Sequence, residues 1–209
     1  MQGIPLNERK RLGALLDDWP QTEVMAMIPQ FSQAETDNFV APPAQIPEAL
    51  GVLMFNMERG VNLPEIQEFL RDCPDIQPFD VILANELDDG CARSGNKNTA
   101  RELAQAFGLN YAWGLEFIEL VNDENAKGFH GNAVFSRWPI RRAGVIRLPE
   151  QYNWYFDRQK RIGGRLAVFA ELDVGGQPVG AVSIHLENRT HGEGRKAQMA
   201  AILEAVRKE

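Results

Sequence analysis

The sequence predicts a layered α+β sandwich, in which helices flank a core of strands. Three observations support this prediction. Short apolar runs bounded by turn residues recur from residue 50 onward, as is typical of buried strands. Two of these runs enclose a helical segment, which indicates a βαβ unit. An amphipathic segment then follows the last predicted strand.

The first 49 residues are predicted to form a helix and a proline-rich extension. Apolar residues recur with helical spacing between Leu6 and Trp19. Residues 20–47 contain several prolines and no sustained period, which favours an irregular segment that wraps the main domain. A poorly ordered leader is the alternative. The main domain is predicted to span residues 50–209.

The first half of this domain is predicted to contain the βαβ unit. Its strands are expected at residues 51–56 and 79–84, with a helix at 64–73 that has Pro64 in its first turn. A second helix is expected to be capped by Asn98 and to end at Gly108.

Strands are predicted to dominate the second half. Gly175 and Gly176 indicate a tight hairpin turn. A helix is expected at residues 195–206, and its apolar face comprises Met199, Ile202, Leu203 and Val206. The predicted strands are residues 111–121, 132–136, 143–148, 165–174 and 179–186.

Composition narrows the classes of function. The chain has 209 residues and a net charge of −7, which argues against a protein held on nucleic acid by bulk charge alone. Cys73 and Cys91 form no zinc or redox motif, and a reduced compartment is favoured. The N-terminus has no apolar leader, and no uncharged apolar run reaches about 18 residues. We therefore expect a cytoplasmic protein without a membrane span, and the sequence leaves its oligomeric state open.

Polar residues stand at the ends of both strands of the βαβ unit. Asn56 ends the first strand, and Asn85 and Glu86 end the second. Because parallel neighbours bring their carboxyl ends to one edge of a sheet, Asn56 and Glu86 are expected to converge there. A carboxylate beside an amide suits Mg²⁺. The alternative is that these residues end their strands and face water.

The three histidines differ in their context. His185 follows the predicted strand that begins at Val179, where it could donate to a phosphoryl or leaving oxygen. A lone histidine is more often structural than catalytic. His130 and His191 lie in glycine-flanked segments and are interpreted as loop residues.

Four segments occur in a specific order between residues 51 and 198. They are the strand ending at Asn56 with Met57-Glu-Arg-Gly60, then Asp80-Val-Ile-Leu-Ala-Asn-Glu86, then Gly131-Asn-Ala-Val-Phe-Ser-Arg-Trp-Pro-Ile140, and finally Val182-Ser-Ile-His-Leu-Glu187 with Arg195-x-x-Gln198. Each segment alone is a weak signal. Together, the four segments resemble the motifs of the endonuclease/exonuclease/phosphatase superfamily, which includes pancreatic-type deoxyribonucleases and neutral sphingomyelinases.

The resemblance implies a four-layer αββα sandwich of the deoxyribonuclease-I type. It also implies hydrolysis of a phosphodiester, or of a phosphomonoester, beside Mg²⁺ or Mn²⁺. Glu86 would be the metal ligand and Asn56 would orient metal and phosphate. Asn132 would shape the floor of the site, and His185 would contact the scissile phosphate or the leaving group. Nucleic acid, a phospholipid head group and a sugar phosphate all fit as substrates.

This sequence departs from the family pattern at Asn85, at Ile184, where the family usually has Thr before the His, and in two segments that are missing. Asn85 stands where the family usually has Gln. A second acidic residue is expected to be either Glu116 or Glu119, which strand alternation places on opposite faces. The family's Gly-Asp-x-Asn and Ser-Asp-His segments do not occur, and neither Asp123 nor Asp173 replaces them. The domain is therefore expected to be truncated and the chain nearly inactive. The alternative function is a non-catalytic relative that acts as a binding module.

Two surface features are also open to interpretation. Residues 137–165 are locally basic, which favours either a phosphate-binding face or scattered surface arginines. Beside them lie Tyr152, Trp154, Tyr155 and Phe156, which would either stack on a ligand or anchor a loop to the core. The anchored loop is the preferred interpretation.

Overall fold

A computed structural model describes residues 1–208, and the elements below are those of this range. The helices are α1 (Leu6–Leu15), α2 (Gln21–Ala26), α3 (Leu63–Asp72), α4 (Thr99–Phe107) and α5 (Gly192–Val206). The strands are β1 (Ala34–Asp37), β2 (Val52–Arg59), β3 (Val81–Asp89), β4 (Asn110–Glu119), β5 (Phe129–Ser136), β6 (Ile140–Arg147), β7 (Arg161–Gly163), β8 (Leu166–Val174) and β9 (Gln177–Ile184).

The described strands form two sheets that pack face to face. The first sheet has the order β1-β4-β5-β3-β2, with β7 paired to β4, and the second has the order β6-β8-β9. Val134, Val168 and Leu172 belong to the apolar core between the sheets. Helices α1 to α4 cover the outer face of the first sheet, and α5 covers the second. The predicted four-layer αββα sandwich is confirmed.

The βαβ unit also forms as predicted. Strands β2 and β3 pair in parallel, and α3 connects them. The side chain of Asn98 accepts a hydrogen bond from the Arg101 N–H and so caps α4. Gly108 ends this helix in the left-handed region, with φ 58°, a conformation that a residue without Cβ adopts at little cost.

The N-terminal segment is more ordered than its sequence suggested. The irregular structure predicted for residues 20–47 is wrong in part, because α2 lies there and β1 pairs antiparallel with β4. Val24, Ile28 and Phe31 are buried in the same core as the first sheet. Their spacing of i, i+4 and i+7 is helical, but it covers only one short segment that contains Pro29. Strand β1 consists of Ala-Glu-Thr-Asp, which has no apolar signal. The domain boundary at residue 49 stays a prediction.

The structure also corrects the predicted apolar face of α5 and the predicted position of His130. The helix α5 buries Ile202, but Met199, Leu203 and Val206 remain 36–48% exposed. Its predicted apolar face therefore covers the second sheet only in part. His130 lies within β5 and is 2% exposed, so its interpretation as a loop residue is wrong.

Strand β7 depends on a glycine. Gly163 has φ +128°, and a Cβ atom there would collide with the backbone oxygen of Glu116 in the paired strand β4. We expect Gly163→Ala to destabilise the protein by roughly 2–4 kcal/mol, from backbone strain and steric overlap. Urea unfolding measures the change. The matched control is Gly192→Ala, where nothing lies within 4 Å of the added carbon. Equal stability of the two variants would contradict the requirement for glycine at position 163.

Candidate active site

Irregularities occur side by side in the carboxyl-terminal halves of β2 and β3. These strands continue past Asn56 and Glu86 to Arg59 and Asp89, so the prediction that the two residues end their strands is wrong. The register between these strands shifts after Asn56, and that between β3 and β5 shifts after Ala84. Three non-glycine residues there have positive φ, namely Glu58 (45°), Arg59 (68°) and Glu86 (59°). Left-handed backbone costs a non-glycine residue about 1–2 kcal/mol. Such strain concentrates at functional sites, where the surrounding structure compensates for it.

Asn132 holds the irregular backbone of Glu86 in place. The Glu86 N–H donates to Asn132 Oδ1 at 3.1 Å. Asn132 is fully buried on β5, and its Nδ2 has no hydrogen-bond partner. Asn56 has a similar local role in its own strand, because its Oδ1 accepts from the Glu58 N–H at 2.9 Å. Asn56 is the register partner of Asn85 and therefore lies at the level of the residue before Glu86.

Asn85 connects the two sheets rather than facing the site. Its Nδ2 donates to the Ile184 carbonyl at 3.1 Å, and its Oδ1 accepts from the Ser183 hydroxyl at 3.2 Å. Ser183 also donates to the Ala84 carbonyl. These bonds fix the end of β9 against the end of β3. They place His185, the next residue after β9, beside Glu86.

The neighbours of His185 define which of its ring nitrogens accepts a hydrogen bond. Nδ1 lies 3.0 Å from Arg165 Nη1, and Nε2 lies 3.8 Å from Glu86 Oε1. Because a guanidinium only donates, Nδ1 is the acceptor, and neutral His185 carries its proton on Nε2. The structure therefore brings Glu86, Asn132 and His185 together, with Asn56 at the same sheet edge. Their chemical roles stay predictions.

Both acidic candidates of β4 lie below this site. Glu116 is an extra residue in the pairing of β4 with β5, where the register shifts between Leu115 and Phe117. As a result Leu115 and Ile118 both face the helices, although they are three residues apart. The expectation that Glu116 and Glu119 lie on opposite faces is therefore wrong. Both carboxylates enter one buried network of charges.

Arg165 is the centre of this network. Its guanidinium lies 3.2 Å from Glu116 and 3.2 Å from Glu187. Burial raises the pKa of Glu116, but interactions with Arg165 above all, and with His185 and His130, outweigh the burial and lower that pKa to about 2. A second cluster adjoins the first. There, His130 Nδ1 lies 2.9 Å from Asp88, which Arg93 also contacts.

The lowered pKa of Glu116 predicts acid sensitivity. Because the pKa falls from 4.5 to about 2 on folding, the stabilisation is complete above pH 4.5 and is lost as the pH falls toward 2. We expect Glu116 to account for about 3 kcal/mol of this loss. Urea unfolding between pH 2 and pH 6 measures it. Glu116→Gln should flatten the curve, and an unchanged acid slope in this variant would contradict the prediction.

A pocket of about 580 Å³ opens above the buried network. Five of its residues are arginines and two are acidic, Glu86 and Asp157. Of the basic stretch 137–165, only Arg158, Arg161 and Arg165 line it. Arg141 instead pairs with Asp173 in the second sheet. The lining residues are Arg59, Glu86, His130, Trp154, Asp157, Arg158, Gln159, Arg161, Arg165, Asn188 and Arg189.

The aromatic cluster beside the pocket is anchored mainly to the core, as preferred from the sequence. Trp154 and Tyr155 are each 6% exposed, whereas Phe156 is 68% exposed. The indole Nε1 of Trp154 donates to Glu187 at 2.8 Å. The guanidinium groups of Arg161 and Arg165 lie over its ring at 5.2 and 5.4 Å. Trp154 therefore orients Arg161 and Arg165, two buried arginines that line the pocket.

The residues present fit a hard cation held by one carboxylate. No group of three or more His, Cys, Asp or Glu side chains within residues 1–208 is placed to hold a metal ion. Mg²⁺ does not need such a group, since one or two carboxylates hold it and water and phosphate complete its coordination. The Glu86 carboxylate is 24% exposed and lines the pocket. It is the metal ligand that the geometry favours.

Of three further aspartates, Asp123, Asp173 and Asp157, only Asp157 lines the pocket. Asp123 pairs with Lys10 and Asp173 with Arg141, and neither lines the pocket. Asp157 does line it, and no motif identified this residue. Its carboxylate accepts from the Tyr152 hydroxyl at 2.9 Å and lies 3.8 Å from Arg189. Hydrogen bonds from the Gln159 backbone and Tyr152 lower its pKa.

Comparison with solved structures identifies the fold. An endonuclease/exonuclease/phosphatase family protein from Leptotrichia buccalis C-1013-b aligns with a TM-score of 0.50 and 20% identity, covering 75% of this chain and 63% of that one. The two chains share a fold. SmcL aligns with a TM-score of 0.47 and 14% identity, covering 78% of this chain and 59% of that one. The chain thus spans less than two thirds of the length of either structure.

Sequence comparison adds no closer relative. No protein-family model matches the chain, and no curated protein matches it. The shared architecture supports the αββα fold. Within residues 1–208, no helix is long and apolar enough to cross a membrane. The predicted cytoplasmic location stays a prediction.

Proposed function

We propose that the pocket is the site of a metal-dependent phosphoester hydrolase, with a phosphodiester as the main substrate class. The observation that carries this proposal is the pair formed by Glu86 and His185, 3.8 Å apart, of which Glu86 lines a pocket with five arginines. A carboxylate for a divalent cation, an imidazole N–H donor and the guanidinium group of Arg59 at the same sheet edge match the charges of a phosphate ester. Mg²⁺ or Mn²⁺, when bound, would neutralise charge on the phosphoryl oxygens.

In this proposal, some side chains position the site and one contacts the leaving oxygen. Asn132 holds the Glu86 backbone, and Asn85 holds the end of β9, so that carboxylate and imidazole keep a fixed separation. Arg165 occupies Nδ1 of His185 and leaves the Nε2–H free to donate. In the proposed reaction water attacks phosphorus, the bond to the leaving oxygen breaks, and the proton that the water releases ends on that oxygen. His185 Nε2–H donates a hydrogen bond to the leaving oxygen as negative charge develops on it, and keeps its own proton.

A phosphate-ester binding module is the second candidate function. It is favoured by the bonding of Asp157, the only acidic residue besides Glu86 among the described residues that line the pocket. Its carboxylate accepts from Tyr152 and the Gln159 backbone, and its lowered pKa makes it a poor base. A missing general base costs about 10²–10⁴ in rate. We therefore expect the chain to bind the ester and to hydrolyse it slowly.

Two assays test the proposal. The chain is incubated with bis(4-nitrophenyl) phosphate and Mg²⁺ or Mn²⁺ to measure turnover. Calorimetry measures the binding of a phosphorothioate diester. His185→Ala should retain this binding and lower turnover by about 10²-fold, since it removes a hydrogen-bond donor to the charge that develops on the leaving oxygen. The matched control is His191→Ala, because His191 is exposed before α5 and does not line the pocket.

The outcomes separate the two functions. Turnover that needs the metal and falls in His185→Ala supports the hydrolase. Metal-dependent binding without turnover supports the binding module. Neither binding nor turnover would refute both candidates.

A further inference from the structure

The pocket carries more positive charge than one phosphate group needs. Its two most buried arginines, Arg161 and Arg165, form ion pairs with buried carboxylates. Arg165 pairs with Glu116 and Glu187, and Arg161 lies 2.9 Å from Glu119. Both side chains are at most 6% exposed. These guanidinium groups therefore build the floor of the pocket, and their charge is already balanced.

The arginines at the rim are not balanced in this way. Within residues 1–208, neither Arg59 nor Arg158 forms an ion pair with a carboxylate, and Arg59 Nε is buried without a hydrogen-bond partner. Arg189 has only Asp157, at 3.8 Å, and its side chain is 56% exposed. The excess positive charge thus lies at the pocket opening, where a ligand can reach it.

These rim residues come from different parts of the fold. Arg59 stands at the end of β2, at the edge of the sheet that holds Glu86. Arg158 precedes β7, and Arg189 follows β9 in the chain. Arg59 therefore belongs with the site of Glu86 and His185. Arg158 and Arg189 come from two separate loops that meet at the same pocket.

Arg189 is oriented in advance. Its guanidinium carbon lies 5.9 Å from the ring centroids of both Tyr152 and Trp154. Stacking on aromatic rings restricts a guanidinium without consuming its donors, which remain able to bind phosphate in pairs. A lysine would offer no such planar contact. This arrangement favours an anion with several oxygens over a single negative charge.

We propose that Arg158 and Arg189 form a subsite for a second phosphate group of the substrate. This inference rests on the proposed function, in which the first phosphate lies at Glu86 and His185. A pocket of about 580 Å³ is within the size range of small-molecule sites. The ligand chemistry is therefore a phosphate ester that carries another phosphate, and its source is either a sugar bisphosphate or a 5′-phosphorylated nucleotide strand.

The test measures binding and does not depend on turnover. Calorimetry compares fructose 6-phosphate with fructose 1,6-bisphosphate, and a thymidine dinucleotide with its 5′-phosphorylated form. For one of these pairs, we expect the second phosphate to raise affinity by about ten-fold, as charge-assisted bidentate contacts do. The double variant Arg158→Gln/Arg189→Gln should lose this gain and keep its affinity for the partner with one phosphate within about two-fold.

The control is Arg137→Gln/Arg141→Gln, whose arginines do not line the pocket; it should keep the full gain. A gain confined to the sugar pair or to the dinucleotide pair supports the subsite and identifies the source. No gain for either pair, or a gain that persists in the double variant, would overturn the proposal. The binding comparison is independent of turnover: a gain from the second phosphate without hydrolysis of bis(4-nitrophenyl) phosphate would refute the hydrolase alone, and hydrolysis without this gain would refute the subsite alone.

Discussion

Replacing Glu86 by glutamine is expected to abolish Mg²⁺ binding at the pocket while leaving the fold intact. Glutamine keeps the size of the side chain but removes the negative charge that a hard cation requires. In the native protein, Mg²⁺ at a hundred times its Kd should raise the free energy of unfolding by about 2.7 kcal/mol. Thermal and urea unfolding with and without Mg²⁺ measure this difference. The variant should show no such increase.

Turnover gives a second readout of the same change. The loss of a metal that stabilises charge on phosphoryl oxygens is expected to lower the rate by at least about 10²–10³-fold. The control variant is Glu193→Gln, whose carboxylate is 79% exposed in the first turn of α5. Stabilisation by Mg²⁺ that survives in Glu86→Gln would exclude Glu86 as the ligand.

Replacing Arg165 by methionine is expected to destabilise the protein by about 3–5 kcal/mol. The substitution keeps an apolar stem but leaves Glu116 and Glu187, which are almost fully buried, without their cation. Breaking a buried ion pair costs this much because the remaining charges stay in a medium of low dielectric constant. It also removes the donor to His185 Nδ1. Urea unfolding at neutral pH measures the effect.

A cycle of variants shows whether the cost comes from the unpaired carboxylates. Glu116→Gln combined with Arg165→Met should be less destabilising than the sum of the two single changes, because the double variant leaves fewer buried charges. Arg141→Met is the surface control. Arg141 pairs with Asp173, and both side chains are about one third exposed, so its loss should cost at most about 1 kcal/mol. Strict additivity in the cycle would contradict a coupled network.

The sequence by itself determined the layers of the fold and the candidate residues Glu86 and His185. Apolar runs of strand length and the capping pair Asn98 and Gly108 act locally, so each can be recognised from a few neighbouring residues. Glu86 and His185 were found because each follows an apolar run in a recognisable motif. Parallel pairing then implied that Asn56 would lie near the level of Glu86, and its register partner is the preceding residue, Asn85.

Only the tertiary structure decided how these side chains are aimed. An extra residue at Glu116 reverses the alternation of β4, and no sequence period shows this because the partner strand β5 imposes it. Strand β1 has no apolar pattern and forms because the edge of β4 offers unpaired backbone groups. Three pocket arginines from separate segments, Arg161, Arg165 and Arg189, meet over the ring of Trp154. Charge pairing between distant segments is a property of the fold, and it distinguishes the balanced floor from the open rim.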